Sequence, residues 1–457
     1  MIGLDPESLA RRLRAIQHMV RSRSFWFVLE RYASTGFGFA LTASLTRVTP
    51  LVELAQYLAA FALASTFEPL FAASINGYLL GRLRLSKDDD EMGRMFRSTY
   101  WLMQGAAVVF VAAIIGLQWS LPGDHLLVSL FFLQIAFTPL KLFTAPLIAR
   151  DRFIEVKPVQ VGINVLGGCL RVGVALTSHN LLLITLLLCV EPILTSAILG
   201  RRAGVRLFAR PMLSPAMAKQ IAKQLPVLMG AMGLVCLFYR SPVMLAQLRL
   251  GPADVVHIAL AMQVLTGLGI VQGAITDSLL GPLAASISDE RRFRSLLEVG
   301  STVSISFGLI IWIGVAITGE WVLTFVFGHR AAGVGPIVAT IAPICLLGGL
   351  FQLSTSVINL LGRPVLLLLM WGAVLAGQAL VGLALVRWPT PLDISIGTPL
   401  SLMLGLSVAL LAPRLRPLVM RILFGVFSII GSPSLRREVV SVMLGASPTA
   451  NLQKQRP

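Results

Sequence analysis

Long apolar runs separated by short polar segments dominate the pattern of this chain. Each run holds about 20 mostly apolar residues, the length that an α-helix needs to cross the hydrocarbon core of a bilayer. The pattern therefore predicts an all-α polytopic membrane protein with twelve transmembrane helices. The predicted spans are Phe25–Thr46, Leu54–Leu80, Ser98–Leu117, Leu126–Ile148, Val159–Leu176, Leu181–Leu199, Leu225–Leu248, Val255–Leu283, Val299–Ile317, Val334–Leu361, Val365–Val386 and Ile394–Leu411.

Basic residues are concentrated in alternate loops between these helices. The second, fourth, sixth, eighth and tenth loops carry Arg or Lys, most of them in clusters, whereas the intervening loops carry one basic residue or none. Because loops rich in Arg and Lys stay in the cytoplasm, this alternation predicts that both ends of the chain are cytoplasmic. The basic residues that fall in the predicted outer loops are Arg47, Arg249, Arg330 and Arg387.

Composition agrees with a lipid environment. Of the 457 residues, 56% are hydrophobic and 13% are charged, against roughly a quarter charged in soluble chains. The net charge of +17 follows from the basic loops, so membrane lipids with anionic headgroups are expected partners and nucleic acid is not. The cysteines at 169, 189, 236 and 345 lie in apolar runs without metal-like spacing, so no cofactor or metal is predicted.

The most basic internal loop divides the chain into two halves. We predict a basic cytoplasmic segment at 1–24, a first six-helix half at 25–199, a cytoplasmic linker at 200–224, a second six-helix half at 225–411, and a basic tail with an amphipathic helix at 412–457. A faint repeat supports this division, because Leu79-Leu80-Gly81 recurs as Leu279-Leu280-Gly281 at the equivalent end of the second helix of each half.

Two local stretches carry a resemblance to a known group of transporters. One is Leu250-Gly251-Pro252-Ala253-Asp254-Val255, followed by a long helix that reaches Leu279-Leu280-Gly281-Pro282-Leu283-Ala284; the other is Phe327-Gly328 with Gly335-Pro336, ahead of a helix that ends at Asn359-Leu360-Leu361-Gly362-Arg363. With its six-plus-six helices, the chain resembles the multidrug/oligosaccharidyl-lipid/polysaccharide exporter superfamily, whose fold is MATE-like or flippase-like. Within that superfamily it looks most like the polysaccharide flippases of the O-antigen and exopolysaccharide type.

The sequence departs from the family pattern at two places. The first-half counterpart of the Leu-Gly turn reads Arg47-Val48-Thr49-Pro50 and lacks the expected glycines, and His257 stands where tyrosine is more usual.

The resemblance implies a transporter of the bacterial inner membrane rather than an enzyme. Its substrate would be a lipid-linked oligosaccharide of the polyprenyl-pyrophosphate type, flipped to the outer leaflet by rocking of the two halves. Protons, sodium or the membrane potential would drive the step, three alternatives that stay open, and polysaccharide polymerase or export proteins are candidate partners.

Ionisable residues at membrane depth are the candidate site residues, because each is costly in lipid unless it faces a cavity or a partner. Cations suit a pyrophosphate, and buried carboxylates suit ion coupling. The candidate substrate-binding residues are Arg31, Arg240, Arg171 and Lys141, and the candidate coupling residues are Glu68, Glu191, Asp277 and Glu30.

Each of these residues also has a structural interpretation. Arg31 and Arg171 lie near helix ends, where they can snorkel to the headgroups. Lys141, between Pro139 and Pro146, can cap a broken helix. Asp277 can neutralise basic loop residues. Arg240 can pair with an acid instead of a substrate. We also expect proline to kink the helices beside two of the acids, at Pro69 next to Glu68 and at Pro192 next to Glu191.

Three alternatives stay open from the sequence. A drug/cation antiporter of the same superfamily needs an anionic or aromatic cavity. A peptidoglycan-precursor flippase usually has two further helices, for which there is no room after Leu411. A membrane-embedded glycosyltransferase or polymerase needs a sizeable outer loop with catalytic residues, and every predicted outer loop is short.

Overall fold

The computed structural model describes most of the chain between residues 23 and 411. The ranges it describes are 23–86, 88–120, 125–150, 152–204, 214–286, 289–360, 364–385 and 390–411, with residues 416 and 420. Residues 1–22 of the predicted basic segment, 205–213 of the predicted linker and nearly all of the predicted tail with its amphipathic helix lie outside the described residues.

The described residues form twelve long helices and contain no strand. These are α1 (Arg23–Val48), α2 (Leu51–Phe67 and Ala73–Leu85), α3 (Asp89–Trp119), α4 (Leu126–Phe137 and Ala145–Ala149), α5 (Phe153–Thr177), α6 (Leu181–Ala203), α7 (Pro215–Arg249), α8 (Pro252–Ala285), α9 (Glu290–Phe327), α10 (Val334–Ile341 and Pro343–Leu360), α11 (Pro364–Leu385) and α12 (Pro391–Leu411). Eleven of them, α2 to α12, contain a segment long and apolar enough to cross a membrane. The prediction of an all-helical, multi-pass membrane protein is confirmed.

Proline interrupts two of these helices at predicted positions. In α2 the α-helix gives way to a 3₁₀ turn at Glu68–Phe71, which contains Pro69. In α4 a 3₁₀ segment at Thr138–Thr144 contains Pro139. Proline cannot donate the helical hydrogen bond, so the backbone tightens locally. Beside Glu191, in contrast, the α-helix continues through Pro192.

Several helices are longer than their apolar runs. Helix α3 begins at Asp89 because the Asp88 side chain caps it, accepting a hydrogen bond from the Glu91 N–H at 2.6 Å. Helix α9 begins at Glu290, where Asp289 accepts from the Arg292 N–H at 3.1 Å. An N-cap satisfies a backbone donor that helix formation leaves unpaired. The helix therefore starts at the cap and not at the apolar boundary.

Contacts divide the chain into two compact units. The first contains residues 1–41 and 71–223, and the second contains residues 42–70 and 224–457. The last residues of α1 and the first segment of α2 therefore group with the second unit, although the predicted halves place them in the first. The six-helix halves themselves stay a prediction.

The first unit contains a core of aromatic rings and small residues. Phe96 and Tyr100 from α3 meet Phe143, with ring centroids 5.2 and 5.4 Å from it. Gly168 of α5 makes room for Phe37 of α1, since a Cβ at Gly168 would lie 2.2 Å from the Phe37 ring.

In the second unit, α9 and α10 touch backbone to backbone. A Cβ built on Gly308 would lie 2.6 Å from the Leu346 Cα and 2.8 Å from the Cys345 carbonyl oxygen. Main-chain atoms cannot rotate away, so only glycine fits there.

Gly308→Ala is therefore expected to destabilise the protein by about 2 kcal/mol through overpacking. Gly314→Ala, on the same helix with nothing within 4 Å of its Cβ, is the matched control. Thermal unfolding of the two variants in detergent checks this. Equal stability of the two variants would contradict the observed helix contact.

Candidate functional site

A cavity of about 470 Å³ lies within the second unit. Its walls come from the middle of α2, where the α-helix is interrupted, and from α7, α8, α10 and α11. The lining residues are Ser65, Pro69, Met232, Val235, Cys236, Tyr239, Arg240, Met262, Leu265, Thr266, Gly269, Gln272, Ile344, Cys345, Gly348, Gln352, Thr355, Ser356 and Trp371. This volume falls in the range of small-molecule sites.

Arg240 is the one charged side chain among the described residues that line this cavity. Its guanidinium carbon lies 5.5 Å from the centroid of the Phe61 ring, within cation–π range. Glu68 interacts with it electrostatically. Phe61 lies in the first segment of α2, and Glu68 begins the 3₁₀ turn that interrupts this helix. The same part of α2 therefore lines the cavity and interacts with the Arg240 guanidinium.

Aromatic side chains form a second wall. The Trp371 ring packs 6.3 Å from Tyr239 and 5.3 Å from Phe351, measured between centroids. Its indole N–H donates to the Thr355 hydroxyl at 3.1 Å, which fixes the ring plane. The Tyr239 hydroxyl lies against α10 where glycine leaves space, because a Cβ on Gly348 would lie 3.2 Å from it.

Gln272 ties the helices behind the cavity together. Its side-chain amide donates to the Ser304 carbonyl of α9 at 3.2 Å and to the Cys345 carbonyl of α10. Gly349 allows this approach, because a Cβ there would lie 3.2 Å from the Gln272 amide. A buried amide that is bonded in this way holds three helices in register.

Two of the predicted site residues form an ion pair in the first unit. Arg171 Nη2 of α5 lies 2.6 Å from Glu191 Oε1 of α6, and their side chains are 11% and 22% exposed. Gly167 leaves room for the carboxylate, since a Cβ there would lie 2.4 Å from Glu191 Oε1. Arg171 was predicted to bind substrate, and Glu191 was predicted to couple ions. The contact between them gives each residue a structural partner within the first unit.

Glu30 also forms an ion pair in the first unit. Its carboxylate pairs with Lys157, whose side chain is 8% exposed. The pair connects α1 to α5. Lys157 lies in the fourth predicted loop, just before the predicted span Val159–Leu176. The sequence contains no signal that would have placed it opposite Glu30, 127 residues away.

Two of the remaining candidates, Arg31 and Lys141, are not among the described residues that line the cavity. Arg31 is half-buried on α1, and Lys141 is exposed in the 3₁₀ segment that interrupts α4. Asp277 lies on α8, and its side chain is outside what the structure describes. The roles of these three residues stay predictions.

Uncharged residues of the cavity escaped the sequence analysis. Gln272, Gln352, Tyr239 and Trp371 carry no charge, and such side chains are common enough in membrane helices to draw no attention. The side-chain amides of Gln272 and Gln352 lie within apolar runs, and they are the one sequence feature that could have indicated a polar cavity at these helices.

Comparison with known proteins identifies the fold. Neither family models nor curated proteins match the chain. Among solved structures, a mutant of the Vibrio cholerae MATE transporter VcmN is similar over 89% of this chain and 98% of its own, with a TM-score of 0.62 at 14% identity.

Two further structures agree. An outward-facing MATE-family multidrug resistance transporter of the MOP superfamily has a TM-score of 0.61 at 12% identity, covering 93% of this chain and 98% of its own. A MOP-superfamily transporter from Pyrococcus furiosus, described as having a binding pocket of reversed polarity that suggests a different function, has a TM-score of 0.60 at 12% identity over 93% and 96%. The fold is that of the MATE transporters.

Proposed function

We propose that this chain is a secondary transporter that flips a lipid-linked oligosaccharide across the bacterial cytoplasmic membrane. The MATE fold supports transport. The observation that carries the choice of substrate is the charge of the cavity, whose single charged lining residue among those described is Arg240. A cation in a mostly apolar cavity favours an anionic ligand.

Arg240 suits a pyrophosphate headgroup. A guanidinium presents its N–H donors in a planar fork that matches two phosphate oxygens. Such charge-assisted hydrogen bonds are roughly twice as strong as neutral ones. Within the cavity we assign Arg240 to the pyrophosphate and Glu68 to neutralising Arg240 when the substrate is absent.

The neutral part of the lining suits a glycan. Gln352, Thr355 and Ser356 offer donors and acceptors for hydroxyl groups, and their i, i+3, i+4 spacing places them on one face of α10. Trp371 and Tyr239 offer flat apolar faces on which a sugar ring can lie. No covalent step is needed, so we propose a carrier and not an enzyme.

A drug/cation antiporter is the second candidate. The electrostatic interaction of Glu68 with Arg240 brings a carboxylate close to the cavity, and aromatic walls bind organic cations. The solved structures of similar fold include multidrug resistance transporters. The two candidates differ in the sign of the charge that is carried.

Leaflet transfer distinguishes them. In one assay, proteoliposomes that contain the wild-type protein are loaded with labelled undecaprenyl-pyrophosphate oligosaccharide, and its transfer is compared with that in protein-free liposomes. In a second assay, the same proteoliposomes are supplied with an organic cation and its export is measured. We expect transfer of the lipid-linked sugar and no export of the cation. Export of the cation without transfer of the sugar would replace the flippase by the antiporter.

A further inference from the structure

Two of the few basic residues in predicted outer loops bind each other's helices. Arg47, at the end of α1, donates from Nη2 to the carbonyl oxygens of Phe325 and Val326 at 3.1 and 3.0 Å. Arg330, in the loop after α9, donates from Nη1 to the Thr46 carbonyl at 3.1 Å and to the Thr49 carbonyl. We call this reciprocal arrangement the arginine clasp.

The clasp binds carbonyl oxygens at the C-terminal ends of α1 and α9. The last carbonyls of an α-helix have no partner within the helix and carry partial negative charge. Phe325 and Val326 belong to the last turn of α9, and Thr46 belongs to the last turn of α1. Each arginine therefore caps the helix of the other, and a cation at a helix C-terminus is stabilised by the helix dipole.

The loop that carries Arg330 is built to present it. Gly328 ends α9 with φ +81°, a conformation that favours glycine. His257 of α8 hydrogen-bonds through Nε2 to the Arg330 carbonyl at 3.1 Å. Glu320 accepts from the N–H groups of Gly333 and Gly335, both at 2.8 Å. The glycines that carry the family resemblance thus shape this loop.

The element that the clasp holds also forms a wall of the cavity. Residues 42–70, the outer hairpin, contribute Ser65 and Pro69 to the lining and place Phe61 against Arg240. The chain passes between the compact units at both ends of this hairpin. At one end the passage coincides with the 3₁₀ turn Glu68–Phe71, where the regular helical bonding is already interrupted.

We propose that the outer hairpin is a gate of the cavity, and that the arginine clasp holds this gate closed on the predicted outer side. The proposal rests on the proposed transport function. Arg47 and Arg330 are both exposed, so water can replace the carbonyl groups as their partners when the gate opens. Hydrogen bonds that can be exchanged for bonds to water stabilise the closed conformation by only a small net free energy, so the gate can still open.

Accessibility of the cavity cysteines tests the gate without any substrate. Cys236 and Cys345 line the cavity, and the background thiols are removed by Cys169→Ser and Cys189→Ala. A membrane-impermeant maleimide is added to right-side-out and to inside-out vesicles that contain the clasp variant Arg47→Gln/Arg330→Gln. Because both arginines are exposed, water replaces part of their bonding, and we expect loss of the whole clasp to shift the opening equilibrium by roughly a factor of 10.

We expect labelling of the clasp variant to be about tenfold faster than in the wild type in right-side-out vesicles and unchanged in inside-out vesicles. Each single variant retains one arginine and is expected to show an intermediate rate. Arg249→Gln, which removes an exposed cation from the end of α7, is the matched control and should label as the wild type does.

An unchanged rate in the single and double variants would overturn the gate. So would an equal increase in both vesicle orientations, because it would indicate general loosening of the fold. Since labelling requires no substrate, failure here is distinct from failure of leaflet transfer, which would overturn the proposed function alone.

Discussion

Replacing Arg240 with glutamine is expected to slow the transfer of lipid-linked oligosaccharide about 30-fold or more, since a lost charged hydrogen bond costs about 2 kcal/mol. Glutamine keeps a donor of similar length but has no charge for the pyrophosphate. The effect follows from the position of Arg240 as the charged group among the described residues of the cavity lining. Transfer by purified variants in proteoliposomes measures it.

The controls separate charge from folding. Arg249→Gln removes an exposed cation from the same helix and should leave transfer unchanged. Arg240→Gln/Glu68→Gln removes both charges, so it should restore any stability lost when Glu68 loses its arginine, without restoring transfer. Arg240→Lys keeps the charge but loses the planar fork, and we expect a smaller loss than with glutamine.

Two results would contradict the assignment. Transfer by Arg240→Gln at the wild-type rate would place the anion site elsewhere. Faster export of an organic cation by this variant, without any transfer of lipid-linked sugar by the wild type, would indicate that Arg240 restrains a cation carrier and that Glu68 is its main binding group.

Replacing Arg171 with alanine is expected to destabilise the protein by about 3 kcal/mol, because removal of one partner of a buried ion pair leaves the other charge uncompensated. Arg171 and Glu191 are 2.6 Å apart and largely enclosed. Unfolding of the detergent-solubilised variant by heat or by sodium dodecyl sulfate measures the change.

A double-mutant cycle shows whether the pair is the cause. Arg171→Ala/Glu191→Ala removes both charges and is expected to be more stable than Arg171→Ala alone. Arg152→Ala, which breaks an exposed pair with Glu155 at the start of the same helix, should cost much less. If Arg171→Ala has wild-type stability but no longer transports, Arg171 binds substrate, as the sequence predicted.

Helix number was predictable, and helix breaks were predictable in part, because both depend on local sequence. An apolar run of sufficient length is costly anywhere except in a membrane helix, and proline removes a hydrogen bond wherever it occurs. The 3₁₀ turns at Glu68–Phe71 and Thr138–Thr144 agree with that rule, whereas the α-helix continues through Pro192, where a kink was also predicted. Helix ends were less predictable, because caps such as Asp88 and Asp289 extend helices beyond the apolar run.

The partners of the charged residues were not predictable. The high cost of a charge in lipid identified Glu30, Arg171 and Glu191 as important, but that cost is the same whether the residue faces a cavity or a counter-ion. Which of these applies depends on the packing of α5 against its neighbours. The glycines at 167 and 168, which make room for Glu191 and Phe37, were the overlooked signal.

The sequence by itself determined that the chain is a multi-pass, all-helical membrane protein, where two of its helices break and which residues carry charge into the apolar region, because burial cost and backbone bonding are properties of short segments. Only the tertiary structure decided that Arg240 lines a cavity, that Arg171 pairs with Glu191, and that Arg47 and Arg330 cap each other's helices. Those contacts join residues up to 284 positions apart, and the packing of helices alone brings such residues together.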